Sequence, residues 1–277
     1  MQRELQLRIV SGVILAAVVL AATWYGGFVF RLVASLIALL VYYEWTSIIR
    51  LHERDIQANA IGWLGQVAVA AATLAGETGY AVGLLALFTV VTVARSLFRA
   101  GTWWSPVGVV YAGMTGIALA EIRGDDAVGF VAMLFIFAVV WATDILAYFV
   151  GRSIGGPKLA PAISPGKTWS GAIGGAVSAV IAGTAVAYAF FPSVGWGIAL
   201  VALLLSVCSQ AGDLFESFIK RRFGVKDSSH LIPGHGGVMD RVDGLIFACF
   251  AAFLLAIVLA LAKNGDAASL SSLLLDV

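Results

Sequence analysis

The chain has 277 residues, of which 61% are hydrophobic and only 12% charged, and its formal net charge is +1. A mean hydropathy of +0.97 excludes an ordinary soluble domain. The basic residues sit at segment ends and form no tail, which argues against nucleic acid as a partner.

Crossing a bilayer takes ~20 mostly apolar residues in a helix. In chain order, the stretches that qualify are 9–30, 32–49, 59–76, 79–95, 105–121, 128–150, 168–191, 194–215 and 242–262. The predicted fold is therefore all-α: a polytopic integral membrane protein of about nine transmembrane helices, in one domain over residues 1–277. Arg3 and Arg8 before the first stretch suggest a signal peptide, but the apolar run outlasts one and more spans follow. With the N-terminus placed in the cytoplasm, that side holds Arg3, Arg8, Arg50, Arg54, Arg95, Arg99, Arg152, Lys158, Lys167, Lys220, Arg221, Arg222, Lys226 and Arg241. The other side holds Arg31, Arg123 and Lys263. Fourteen against three is a positive-inside bias, so the polar connections at about 151–167 and 216–241 are expected in the cytoplasm.

Trp24, Trp45, Trp103, Trp104, Trp169 and Trp196 lie near span ends, where an aromatic belt would place them. The small-residue run from Gly171 to Ala179 predicts close packing of its helix. Cys208 and Cys249 fall in apolar runs without disulfide or zinc spacing and read as small buried hydrophobes.

Two spans carry a carboxylate, Glu44 in 32–49 and Asp144 in 128–150. Asp144 costs a few kcal/mol at such a depth, so it should face a polar cavity or pair with Lys167 or Arg152. The connection that follows contains Ser164-Pro165-Gly166-Lys167-Thr168. This is no P-loop, because the first glycine of that motif is missing and no strand is expected before it. A lysine and hydroxyls opening a helix remain, and the free N–H groups there favour an anion.

The densest chemistry lies in Ser217–Gly244, where ten ionisable side chains occupy 28 positions. Asp213 and Glu216 end the eighth span, and Asp240 and Asp243 open the ninth about one turn apart. Helix-dipole preference explains one acidic residue at such a start. Asp213, Asp240 and Asp243 brought together would repel without a cation, and an all-oxygen set favours magnesium over zinc, with room for a second cation. His235 stands beside Gly236 and Gly237, which permit close backbone approach to a phosphate.

Ser217-x-x-Lys220-Arg221, Lys226-Asp227, Pro233-x-His235-Gly236-Gly237 and Asp240-Arg241-x-Asp243 together resemble the signature of the phosphatidate cytidylyltransferases, or CDP-diacylglycerol synthases. The segments around Asp144 and Ser164-Pro165-x-Lys167-Thr168 are similar as well. Many relatives carry an acidic residue where this chain has Ser170. The resemblance implies cytidylyl transfer from CTP to phosphatidic acid, giving CDP-diacylglycerol and pyrophosphate, at the cytoplasmic face of the cell membrane. It implies catalytic roles for Asp144, Lys167, Lys220, Arg221, His235 and Arg241. Ser164, Ser217, Lys226, Asp227, Gly236 and Gly237 would bind substrate, and Asp213, Asp240 and Asp243 would hold Mg2+. A homodimer is left open. A CDP-alcohol phosphotransferase would show a DGxxAR…GxxxD…D pattern, which is absent. A transporter would show mid-span polar residues in repeated halves.

Overall fold

The structure, a computed structural model, describes residues 2–98, 102–262 and 269–275, with side chains from residue 10 onward. Arg99 and Lys263 of the charge count lie outside these residues, as do the side chains of Arg3 and Arg8. The helices are α1 (Gln2–Tyr25), α2 (Gly27–Ile48), α3 (Leu51–Arg54), α4 (Ile56–Ala75), α5 (Thr78–Phe98), α6 (Trp104–Arg123), α7 (Ala127–Ile154), α8 (Trp169–Phe190), α9 (Gly197–Arg222), α10 (Met239–Ala262) and α11 (Leu270–Leu275). Strands β1 (Lys158–Ala160) and β2 (Ser164–Thr168) form an antiparallel hairpin between α7 and α8.

Eight helices among the described residues, α2 and α4 to α10, are long and apolar enough to cross a membrane. The apolar part of α1, Val10–Tyr25, is shorter. The molecule is a polytopic membrane protein. Three expectations need correction. The first stretch does not run through to residue 30, because Gly26 and Gly27 both take positive φ (63° and 51°) and break the helix. The eighth does not end at 215: α9 continues to Arg222, so Lys220 and Arg221 are helical. Trp45 is no belt residue either, being fully buried, whereas Trp24, Trp103, Trp169 and Trp196 are more than half exposed.

The chain folds as two compact units, one of Met1–Ala120 with Arg222–Arg241, the other of Glu121–Arg221 with Val242–Val277. In the first, the Trp45 indole lies over Gly108 of α6, where any Cβ would collide with it. Its Nε1 donates to the Trp104 carbonyl at 2.9 Å, so the buried ring leaves no polar atom unpaired. Asp55 caps α4 by accepting from the Ala58 amide at 2.9 Å, and Arg95 of α5 donates to both its oxygens at 2.9 and 2.6 Å. The Arg95 hydrogen bond holds the Asp55 carboxyl below the usual carboxylate range.

In the second unit, α7 and α8 meet along a stripe of small residues. Gly171, Gly175, Ala179, Gly183 and Ala187 are all buried, four apart, as the small-residue run predicts. A Cβ on Gly171 or Gly175 would stand 2.6 or 2.7 Å from a carbonyl oxygen of α7, so glycine is what lets the backbones approach. That approach brings the start of α8, and the hairpin leading into it, against the end of α7 that carries Asp144.

Candidate functional site

The second unit contains a cleft of about 670 Å³ whose walls include Asp144, Arg152, Lys158, Lys167, Gln210 and Asp213. Each comes from a different local cause. Asp144 projects from α7, exposed to the cleft although it lies within a membrane-spanning helix. Lys167 stands on β2, and Thr168 ends that strand by capping α8, accepting from the Gly171 amide at 3.1 Å. Ser170 donates to the Gly155 carbonyl and lies 3.0 Å from the Thr168 hydroxyl, tying the hairpin's base together. The P-loop stays excluded, although a strand does precede the lysine: Gly166-Lys167-Thr168 is itself strand rather than a phosphate-wrapping turn. Ser164 pairs with Ala160 in the hairpin.

Lys167 pairs with Asp213 of α9 at 2.5 Å. The other Asp213 oxygen accepts from Ser217 at 3.4 Å. The charges of Asp213 and Asp144 also act on Asp243 of α10, opposed by that of Lys167. Asp243 thus lies within electrostatic range of both other carboxylates and of the lysine. The donors of the three carboxylates are all oxygen, and their negative charge exceeds the lysine's, which fits a hard divalent cation. Among the described residues no three His, Cys, Asp or Glu side chains already converge at metal-binding distance. Sequence reasoning missed Gln210, which lines this cleft and donates to the Ala172 carbonyl at 3.3 Å.

The first unit holds the signature loop, residues 223–238, between α9 and α10. It encloses a pocket of about 600 Å³ lined by Lys226, Asp227, His230, His235, Gly236 and Arg241, among others. Two carboxylates build the loop. Oδ2 of Asp240 accepts from the Ser228 amide (2.9 Å), the Ser228 hydroxyl (2.9 Å) and the Gly237 amide (2.8 Å). Glu44 of α2, fully buried, accepts from Ser228 (3.1 Å), Ser229 (2.6 Å) and the amides of Val238 (2.8 Å) and Met239 (2.6 Å). A buried carboxylate is tolerable only with such a full set of donors. Gly236 has φ 82°, and a Cβ on Gly237 would run into Ser228 and Glu44. The closest neighbours of this glycine pair are therefore the Asp240 and Glu44 carboxylates and the Ser228 hydroxyl, the same groups that build the loop. His235 is set by α1: its Nδ1 lies 2.7 Å from the Ser11 hydroxyl, which also donates to the Pro233 carbonyl at 3.2 Å.

The structure thus groups Asp144, Lys167, Asp213 and Asp243 in one unit, and Lys226, Asp227, His235, Gly236, Gly237, Asp240 and Arg241 in the other. Lys220 is mostly buried and bound to Glu216 at 2.8 Å, one turn back on α9, while Arg221 is exposed. Glu44 and Ser11 are the loop-building residues that spacing did not mark for a role. A carboxylate deep in the apolar run of α2 was the available signal for Glu44; Ser11 gave none.

Residues 6–259 match the model of the Cytidylyltransferase family. A phosphatidate cytidylyltransferase of Brucella abortus (strain 9-941) is 44% identical, covering 91% of this chain and 93% of its own. One from Haemophilus influenzae is 34% identical over 88% of this chain and 96% of its own. A third, from Bacillus subtilis, is 41% identical over 64% of this chain and 66% of its own.

Proposed function

Because the chain belongs to the cytidylyltransferase family, we propose that it transfers a cytidylyl group from CTP to phosphatidic acid, giving CDP-diacylglycerol and pyrophosphate. The observation that carries this reading is the cleft lined by Asp144, Lys167 and Asp213, with Asp243 within electrostatic reach of all three, in a membrane-embedded unit. An oxygen of the lipid phosphate attacks the α-phosphorus of CTP. A P–O bond forms there as the P–O bond to pyrophosphate breaks in line. The nucleophile is already an anion near neutral pH, so no strong base is required, and positioning with charge neutralisation carries the rate.

Asp213 and Asp243, with Asp144 beside them, would hold magnesium. When bound, that ion supplies positive charge where negative charge builds on the transferring phosphoryl oxygens. Lys167, which lines the cleft, would present its ammonium to phosphate oxygens there. Lys226 and Arg241 present donors to a phosphate in the loop pocket, and His235, oriented by Ser11, presents its other ring nitrogen. Arg221 adds positive charge at the end of α9. Asp240 acts on the loop's shape.

The membrane is the cell membrane, with the N-terminus and both clefts on the cytoplasmic side; the fourteen-to-three distribution of Lys and Arg supports this. Pro161→Cys at the exposed hairpin tip should react with an impermeant thiol reagent only from the cytoplasmic side. Reaction from the outer side of intact cells overturns the orientation. For the chemistry, purified chain with CTP and magnesium should release pyrophosphate in proportion to added phosphatidic acid. Equal release without that lipid, or none with it, overturns the assignment.

A further inference from the structure

A third pocket, of about 490 Å³, lies in the first unit and shares no residue with the two clefts above. Arg50, Arg54, Thr102, Trp104, Arg222 and Phe223 are in its wall, and no carboxylate is. Three guanidiniums around one space repel one another unless an anion lies between them. Among the described residues none of the three forms an ion pair with a carboxylate. The acidic residues nearest Arg54 in sequence are engaged elsewhere, Glu53 at 3.6 Å from His52 and Asp55 with Arg95 at 2.6 Å.

The arrangement is held in place. Arg54 lies over the Phe223 ring, 5.6 Å from its centroid, and that ring meets Trp104 edge-on at 5.7 Å. Arg50 is the one non-glycine residue with positive φ among the described residues (φ 53°, ψ 44°), a conformation that side-chain-bearing residues avoid. A topology bias accounts for arginines at the ends of spans. It does not account for their convergence on one pocket, nor for the unusual backbone at Arg50.

The setting indicates the source of the anion. The pocket lies where α2 ends at Ile48 and α6 begins at Trp104, both apolar spans, with Trp103 more than half exposed alongside. Tryptophan beside arginine at the end of a span matches the headgroup layer of a bilayer.

We propose that the pocket formed by Arg50, Arg54 and Arg222 beside Trp104 binds the phosphate of an anionic phospholipid headgroup. Arginine's planar fork donates two parallel hydrogen bonds to phosphate oxygens, which suits this headgroup over a bare carboxylate pair.

The test uses the full chain in detergent, titrated with dioctanoylphosphatidylglycerol, dioctanoylphosphatidylcholine and inorganic phosphate, alongside Arg54→Gln and Arg222→Gln. Binding at the substrate clefts is common to all three proteins, so the reading is the difference between wild type and variants. Phosphatidylglycerol should bind wild type, and each variant should weaken it about tenfold, the loss of one charge-assisted contact. Phosphatidylcholine and inorganic phosphate should show no such difference. Equal affinity of wild type and variants for phosphatidylglycerol overturns the site. Inorganic phosphate that binds wild type as tightly, and is lost in the same variants, overturns the lipid as its source. Basal turnover in phosphatidylcholine micelles reports folding; if a Gln variant fails that check, the matching Lys variant, which keeps the charge without the fork, takes the same readings.

Discussion

Two carboxylate centres in this protein are built on opposite plans. In the signature loop, Glu44 and Asp240 accept seven hydrogen bonds between them from amides and hydroxyls. At the cleft of the other unit, the charges of Asp213 and Asp144 both act on Asp243, opposed by that of one lysine. Satisfied carboxylates fix a shape, because neutral donors hold them in place. Crowded ones hold a free-energy reserve that neutralisation of their charge would release. A charge's environment, more than its identity, separates scaffold from working group.

The comparison breaks most visibly at the cleft. If they hold magnesium as proposed, Asp243→Asn or Asp213→Asn should lower kcat by about a hundredfold or more, since a metal ligand is worth several kcal/mol to such a reaction. Melting temperature in detergent should barely move, because removing one of several repelling charges costs the fold little. Near-normal turnover at limiting magnesium in both variants would reduce these residues to helix-end charges.

Glu44→Gln should do the reverse. It places an NH2 group against a ring of donors and should cost about 2–4 kcal/mol of stability, with turnover falling because the loop loses its shape. Limited proteolysis within residues 223–238 would report the loosened loop. A variant that melts normally and resists cleavage there shows that the four hydrogen bonds carry no weight.

Gly237→Ala sharpens the same point with one methyl group. The added Cβ meets Ser228 and Glu44 and should cost about 1–3 kcal/mol, whereas Gly166→Ala, whose methyl group would have nothing within 4 Å, should be nearly silent in melting temperature. Equal melting of the two variants would contradict the tight cradle.

The smallest effect belongs to the half-buried pair at the start of α4. Asp55 has its folded pKa lowered by Arg95, so the pair's stabilisation is complete above the unfolded carboxylate value and disappears as pH falls through the folded one. Arg95→Gln should therefore melt lower than wild type near neutral pH, by at most ~1 kcal/mol, and the gap should close in acid. A gap that stays constant into acid would assign the loss to packing instead.

Most spans were legible because an apolar run of bilayer length has few other readings. The chemistry-bearing stretch was legible because its charge density contrasts so strongly with the rest. What composition could not give was which carboxylates are satisfied. Asp240 and Asp243 look alike at a spacing of three, yet Asp240 binds amides of a loop that closes only in three dimensions. Trp45 failed as a belt residue for a similar reason. Its place near a span end is a fact of sequence, but the glycine that receives its ring lies 63 positions later, at Gly108. The hairpin around Lys167 was hidden because five residues rich in glycine and proline carry no strand periodicity.

Glu44 also sets an order of events during synthesis. Its partners lie 184 to 195 residues downstream. At ribosomal rates of roughly 5–20 residues per second, α2 enters the membrane some 10–40 s before those donors exist. Throughout that interval a carboxylate inside an apolar span must be carried by water or by a temporary partner, and the nascent chain is exposed to quality control. The loop that needs Glu44 is thus among the last parts of the molecule able to form.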